Sequence, residues 1–235
     1  KNCSPVTERE PKFMVNSQFV ASVIRDIVAP GVEKLMNTPF FAELQQGKLS
    51  IRRLQGWSLQ HYLHNNALLK GFALCMVKNA HIPDLYNYFA YQFNEEQTHP
   101  DLAKRFGLAL GLKEEDFTNA RQIFECFAHT SKTIRGMMLG SPAENRVSGL
   151  VDETMVQRYS QEFDICMRKY YNLGDSALQF FLVHQAVDED HIKMASDIIA
   201  RFTDSPAMEQ RVREMADYAV RFKIGKFDGI YRHYS

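Results

Sequence analysis

The 235-residue chain carries no net charge, since 28 Lys and Arg stand against 28 Asp and Glu. A balanced chain lacks the basic footprint of a nucleic-acid binder, so no nucleic-acid partner is expected. Long apolar runs are missing too. No stretch approaches the ~20 residues that a membrane span requires, and no membrane association is expected. Cysteine is scarce and scattered. Cys3, Cys75, Cys126 and Cys166 form no CxxC pair, which argues against a thiolate-bound zinc or iron–sulfur site. It argues equally against a disulfide scaffold, and such usage predicts reduced thiols in a cytoplasmic protein. The first residues, Lys1 to Lys12, are polar and carry no apolar core of a signal peptide. Strand signals are lacking: no segment alternates with period two, no Asn-Gly turn occurs, and no repeat of fixed length is visible.

What remains is helix. No Pro/Gly/Ser-rich linker divides the chain, so a short extension, 1–15, is expected to precede one domain over 16–235. The first amphipathic stretch, about 16–46, meets Pro30-Gly31, where a helix must end or kink. Ser50 opens a long helix to about Val77. A third runs from Pro83 to about Gln97, a fourth from Pro100 to about Leu110. A fifth begins near Glu114 and fades before Gly136. Ser141-Pro142-Ala143-Glu144 combines a capping serine, a first-turn proline and a glutamate that reaches back, so a helix should run from there to about Tyr170. Asn172-Leu173-Gly174 ends it. Asp175-Ser176 starts the next, to about Phe202, and Ser205-Pro206 starts the last, towards Tyr231. The expected fold class is all-α.

One helix carries chemistry on its face. Ala177, Phe181, His184, Asp188, His191, Ala195, Ile198 and Phe202 are spaced three and four apart and form one stripe. Its ends are core-like; its middle holds three metal-capable side chains. Facing inward, they need partners, because an unpaired buried carboxylate is very costly. A divalent metal would satisfy all three. Facing outward, the same spacing is a solvated polar face.

A bundle dimetal site draws carboxylates from other helices. The stripe Val156, Tyr159, Phe163, Cys166, Tyr170 extrapolates back onto Glu153, a charge on an otherwise apolar face. Glu144 and Glu162 read as a capping residue and a solvated charge. In Asn94-Glu95-Glu96-Gln97-Thr98-His99-Pro100, the residue before proline disfavours helical geometry, so His99 should sit at a break. Glu95 continues the stripe Tyr88, Gln92, whereas Glu96 continues Leu85, Phe89, Phe93; periodicity does not choose between them. Mixed imidazole and carboxylate donors suit iron or manganese better than magnesium or calcium, while zinc shares the ligand types. Three histidines with three carboxylates exceed what one metal needs.

Taken together, these residues resemble the heme-oxygenase-like di-iron oxidases, and among them the para-aminobenzoate-forming members. The similarity runs from about Gly47 to Ile199. It includes Tyr62-Leu63-His64, the Glu95-Glu96 pair, His99-Pro-Asp-Leu with Phe106 and Ala109-Leu110-Gly111, Glu153 at its distance, and His184-x3-Asp188-x2-His191. Leu54-Gln55-Gly56-Trp57 is similar to the cofactorless quinone-forming oxidases of the same fold. The resemblance implies a seven-helix bundle, usually homodimeric. It implies two iron ions (manganese as the alternative) on Glu95, His99, Glu153, His184, Asp188 and His191, and it favours Glu95 over Glu96.

Similar proteins use dioxygen to oxygenate amino-acid nitrogen, cleave carbon–carbon bonds, form nitriles or decarboxylate fatty acids. Two departures stand out. The interval from Glu95 to His99 is three residues shorter than in the para-aminobenzoate-forming members. Those members also consume a tyrosine and a lysine of their own, where this chain has Phe40 or Phe41 and Phe163. A small external substrate, an amino acid or amine, is therefore expected, the abundance of Phe and Tyr leaning weakly to an aromatic amino acid; a para-aminobenzoate-synthase-like protein is the alternative within the family. Lys70, His61 and His64 are candidates to meet its carboxylate. The rival classes are a thiaminase-type hydrolase, which would need Cys126 as nucleophile, a metal-free quinone-forming oxidase, a heme enzyme with one axial histidine, and a scaffold that lost its chemistry.

Overall fold

A computed structural model describes residues 17–185 and 189–235, and for 189–191 the helical backbone alone. Among the described residues every regular element is helical. The elements are α1 (Ser17–Val23), a π-helical turn (Ile24–Val28), α2 (Ala29–Met36), α3 (Pro39–Gln45), α4 (Ile51–Lys78), α5 (Pro83–Glu96) and α6 (His99–Ala109). Then follow α7 (Glu114–Asn119), α8 (Phe124–Leu139), α9 (Pro142–Tyr171), α10 (Asp175–Gln185), α11 (Glu189–Phe202) and α12 (Pro206–His233). No helix among the described residues is long and apolar enough to cross a membrane.

Caps fix the boundaries. Ser50, Ser141 and Ser205 each accept a hydrogen bond from the third backbone N–H of the following helix. At Ser141 the Glu144 carboxylate also accepts from the Ser141 backbone, which completes a capping box. Asn172 ends α9 in the left-handed region, φ 54°, as expected of a C-terminal asparagine.

Two expectations change. The interruption at Pro30-Gly31 is a π-helical turn immediately before Pro30, and helix continues past it to Met36. A wider turn takes up the carbonyl that the proline ring would strike and the bond its missing N–H cannot make. The fifth helix is two. α7 stops at Asn119, and α8 runs through Gly136 to Leu139. The joint between them is pinned from α4: Gln60 donates to the Arg121 carbonyl and accepts from the Ile123 N–H.

α4 packs on α5, α6 and α8, while α9 packs on α10, α11 and α12. Gly107 permits the close crossing of α6 on α4, since a Cβ there would collide with Ser58 Oγ, which donates to the Ala103 carbonyl. At the centre lies an aromatic cluster in which Trp57 touches Phe106, Phe163, Phe180 and Phe181, and Phe163 stacks on Phe181 at 4.4 Å. Phe40 and Phe41 complete it, both fully buried. About half of the described aromatics are thus buried in the core. Cys75, Cys126 and Cys166 are free and buried.

Candidate metal centre

A cavity of about 210 Å³ lies between α4 and α9, bordered also by α5, α6, α8, α10 and α12. Four predicted residues border it: Glu95, His99, Glu153 and His184. Asp188 lies outside the described residues, and so does the side chain of His191. Of the described members of that stripe, Phe181, His184 and Ala195 are buried, while Ala177, Ile198 and Phe202 are half-buried. On α9 the apolar stripe holds through Cys166, but Tyr170 is exposed.

The imidazoles of His99 and His184 are neighbours, with ring centroids 4.5 Å apart. His184 Nδ1 donates to the Phe180 carbonyl at 2.6 Å, one helical turn back. That bond leaves Nε2 as the bare donor nitrogen. Burial, helped by the neighbouring His99, pulls its pKa down to about 4, so it is a neutral ligand at physiological pH. His99 opens α6 directly after the two-residue turn Gln97-Thr98, at the break its proline demanded. Its Nδ1 donates to Glu96 Oε2 at 2.5 Å, which points Nε2 the other way.

Of the adjacent glutamates, Glu96 therefore reaches His99, while Glu95 sits at the exposed rim. Glu153 has an oxygen, Oε2, that is buried with no hydrogen-bond partner. Burial pushes its pKa up to about 7; Arg146 opposes the shift, and Glu96 and Asp152 add to it. Arg146, itself buried, is engaged by the Tyr88 hydroxyl and Asn145 Oδ1.

Among the described residues no three His, Cys, Asp or Glu side chains form a ready metal cage. The described part of the set nevertheless fits a metal in kind: two imidazoles, each with one ring nitrogen held by an orienting partner, and a carboxylate oxygen left unpaired where an unpaired charge is expensive.

The cavity is also bordered by His61 and His64, which sequence reasoning named, and by Asp152 and Lys223, which it did not. His61 and His64 are buried there on α4, whereas Lys70 is exposed. Beside them are Lys223 and Lys226 of α12, Lys132 and His129 of α8, and Asp152 of α9. Lys223 and Lys226 occupy the apolar stripe Val212, Ala216, Ala219, Val220, Phe227, Ile230. A charge on an apolar stripe is the same signal that singled out Glu153. Burial would raise the Asp152 pKa, but Lys223 and Lys132 outweigh it and hold the group down to about 2. Burial and the lysine charges keep His61, His64 and His129 well below the ordinary imidazole range, and burial brings Lys226 down to about 7.

The fold recurs in solved structures. A Shewanella denitrificans domain of unknown function with a heme oxygenase-like fold superposes with a TM-score of 0.82 at 16% identity, covering 92% of this chain and 93% of that one. A TenA homologue from Pseudomonas syringae pv. tomato gives 0.80 at 14% identity, covering 97% and 100%. In sequence, a 4-aminobenzoate synthase of Nitrosomonas europaea is 24% identical over 218 residues, 85% of this chain and 87% of that protein. The family model of iron-containing redox enzymes matches residues 56–223, which takes in most of α4, α5 to α11 and the residues that line the cavity. The chain therefore belongs to the family of iron-containing redox enzymes and has the heme-oxygenase-like all-helical fold.

Proposed function

We propose that the chain is a dioxygen-dependent non-heme di-iron oxidase. Its substrate is a small external molecule, an amino acid or amine, that undergoes N-oxygenation, oxidative C–C or C–N cleavage, or nitrile formation. The observation that carries this reading is the pair of adjacent imidazoles, His99 and His184, sharing one cavity with the unpaired oxygen of Glu153. His99, His184 and Glu153 would hold iron together with Asp188, His191 and one glutamate of α5. Glu96 is our choice over Glu95 for that last position, because it contacts His99 and its charge is felt at both Glu153 and His184. Iron bound there supplies the capacity to activate dioxygen.

The chain's own residues do the rest. The Phe180 carbonyl fixes the His184 ring, Glu96 fixes His99, and the Arg146 cation favours the ionised form of Glu153. The buried Phe180 ring packs against both His184 and His99 on the core side of the site. An external substrate follows from the positions aligned with self-consumed side chains: Phe40, Phe41 and Phe163 are hydrocarbon in the core, with neither phenol nor amine to give. The aromatic side chains that line the cavity are Phe72 and Tyr91, so the wealth of Phe and Tyr no longer argues for an aromatic substrate.

Among the described residues, a thiaminase-type hydrolase finds no cysteine nucleophile lining the cavity. Cys126 is 1% exposed, does not line the cavity, and burial pushes its thiol up to about 12, the reverse of an activated thiolate. A heme would need more room than about 210 Å³, which is below the roughly 300–1,000 Å³ typical even of drug-sized ligand pockets. The test is oxygen uptake by protein reconstituted anaerobically with ferrous iron and challenged with a panel of amino acids, amines and fatty acids. Substrate-dependent uptake is expected; none with any member of the panel removes the oxidase reading.

A further inference from the structure

Gly136 has no packing reason to be a glycine. It is one of the buried residues of α8, with Cys126, His129, Thr130 and Met137. A buried helical position ordinarily carries bulk, and glycine inside a helix is less favourable than alanine. Other helical glycines of the bundle answer to crowding: a Cβ at Gly107 would collide with Ser58 Oγ, and one at Gly71 with Met137 Sδ. A Cβ at Gly136 would meet nothing within 4 Å. Gly136 borders the cavity, so the open space beside it is the cavity itself.

That end of the cavity is apolar. The face that α4 turns to it is polar at first, His61, His64 and Asn65, and then hydrocarbon, Leu68 and Phe72. Leu68, Phe72 and Met137 belong to a second hydrophobic cluster with Leu85 and Phe89. The polar groups nearby are already engaged. Thr133 Oγ1 donates to the His129 carbonyl, Asn145 Nδ2 to Cys75 Sγ, and the Arg146 guanidinium to the Tyr88 hydroxyl and Asn145 Oδ1. Cys75 Sγ also donates to the Met137 carbonyl, which sets Asn145 and Arg146 level with this part of α8. The cavity's glutamates stand elsewhere: Glu95 and Glu96 follow Tyr88 by two turns of α5, and Glu153 follows Arg146 by two turns of α9, about 10 Å along each helix axis.

We infer that the Gly136 end of the cavity is a subsite for an uncharged, aliphatic part of the substrate, and that the missing side chain of Gly136 sets how long that part can be. Leu68, Phe72 and Met137 give such a tail its contacts, while any larger residue at 136 would grow into the space the tail occupies. Use of the subsite by a substrate rests on the oxidase reading; its presence and depth do not.

The experiment is calorimetric titration of the purified full chain, without turnover, with straight-chain primary amines from ethylamine to octylamine. The head group is constant, so the change along the series reports the tail alone. In wild type, affinity should rise about fourfold per buried methylene up to a definite length and then level off. Gly136→Ala should bring the levelling one carbon earlier, and Gly136→Val two or more. Gly136→Ala should also raise Tm by roughly 1–4 °C, because it removes a helical glycine and strikes nothing.

The absence of any rise with length in wild type overturns the subsite. So does levelling at the same length in all three proteins, the result expected if tails bind instead at exposed rings such as Phe124 and Phe127. A lower Tm for Gly136→Ala overturns it as well, since the added methyl would then not be entering open space. Failure of the oxidase reading looks different: the levelling point moves with residue 136, yet iron-loaded protein consumes no oxygen. Conversely, oxygen uptake whose preference for tail length is unmoved by Gly136→Val keeps the oxidase and removes the subsite.

Discussion

Glu153→Gln separates the two demands placed on a metal ligand, affinity for the metal and tolerance of its absence. In the metal-free protein the Glu153 carboxyl has its pKa raised from 4.5 to about 7 by burial. A carboxyl raised in this way contributes stability that is complete below the unfolded pKa and is lost as pH rises through the folded one. The window runs from about pH 4.5 to about pH 7. Above it the difference of about 2.5 pKa units corresponds to roughly 3 kcal/mol, as an upper bound, at 1.36 kcal/mol per unit. Glutamine keeps the shape and removes the charge.

Chelator-treated Glu153→Gln should therefore match chelator-treated wild type near pH 4.5 and exceed it at pH 8. For a domain of this size, with about 2–4 °C per kcal/mol, the gain in Tm is up to ~6–12 °C. Thermal unfolding followed by circular dichroism at both pH values reads it. Ferrous iron should then stabilise wild type and leave the variant nearly untouched. A metal-free variant less stable than wild type at pH 8 would refute the reasoning, because Arg146 would then be satisfying the carboxylate without help.

Three further outcomes are expected. Glu96→Gln should lower bound iron to half or less, whereas Glu95→Gln, at the exposed rim, should retain most of it; the opposite order reassigns the α5 ligand to Glu95. Cys126→Ala should keep full oxygen uptake, with a stability cost of about 1 kcal/mol for the lost sulfur, and loss of activity at unchanged iron content would revive a thiol mechanism. The homodimer implied by the family should appear in light scattering as twice the chain mass. Phe124, Phe127, Tyr218 and Phe222 stand exposed on α8 and α12 and suit a buried interface, and a monomer at micromolar concentration contradicts that expectation.

Much of the fold was legible because its boundaries are local. Ser50, Ser141 and Ser205 are followed by helix whatever the rest of the chain does, since each cap satisfies donors within its own first turn. The joint between α7 and α8 was not legible, because its carbonyl and N–H are met by Gln60, some sixty residues away. Nor was the π-helical turn before Pro30, where packing of α2 against its neighbours decides that helix resumes.

At the site, Glu153 was visible as a charge on an apolar stripe, and His99 as a residue at a proline break. Lys223 and Lys226 obey the same rule on α12, but the place of Lys223 at the cavity depends on α4, α8 and α9 meeting there. No spacing within one helix encodes that meeting. Glu95 against Glu96 was open for the same reason: adjacent residues point about 100° apart on a helix, and only the position of α6 tells which one finds His99.

The central claim is that two irons occupy the ground between His99, His184 and Glu153. Mössbauer spectroscopy of protein loaded anaerobically with ⁵⁷Fe(II), with iron counted per chain, tests it most directly. Two ferrous ions per chain, converted on exposure to oxygen into a coupled diferric pair, and lost together in a His184→Ala variant, are the predicted result. A single magnetically isolated iron, or loading that survives the His184 substitution, contradicts it.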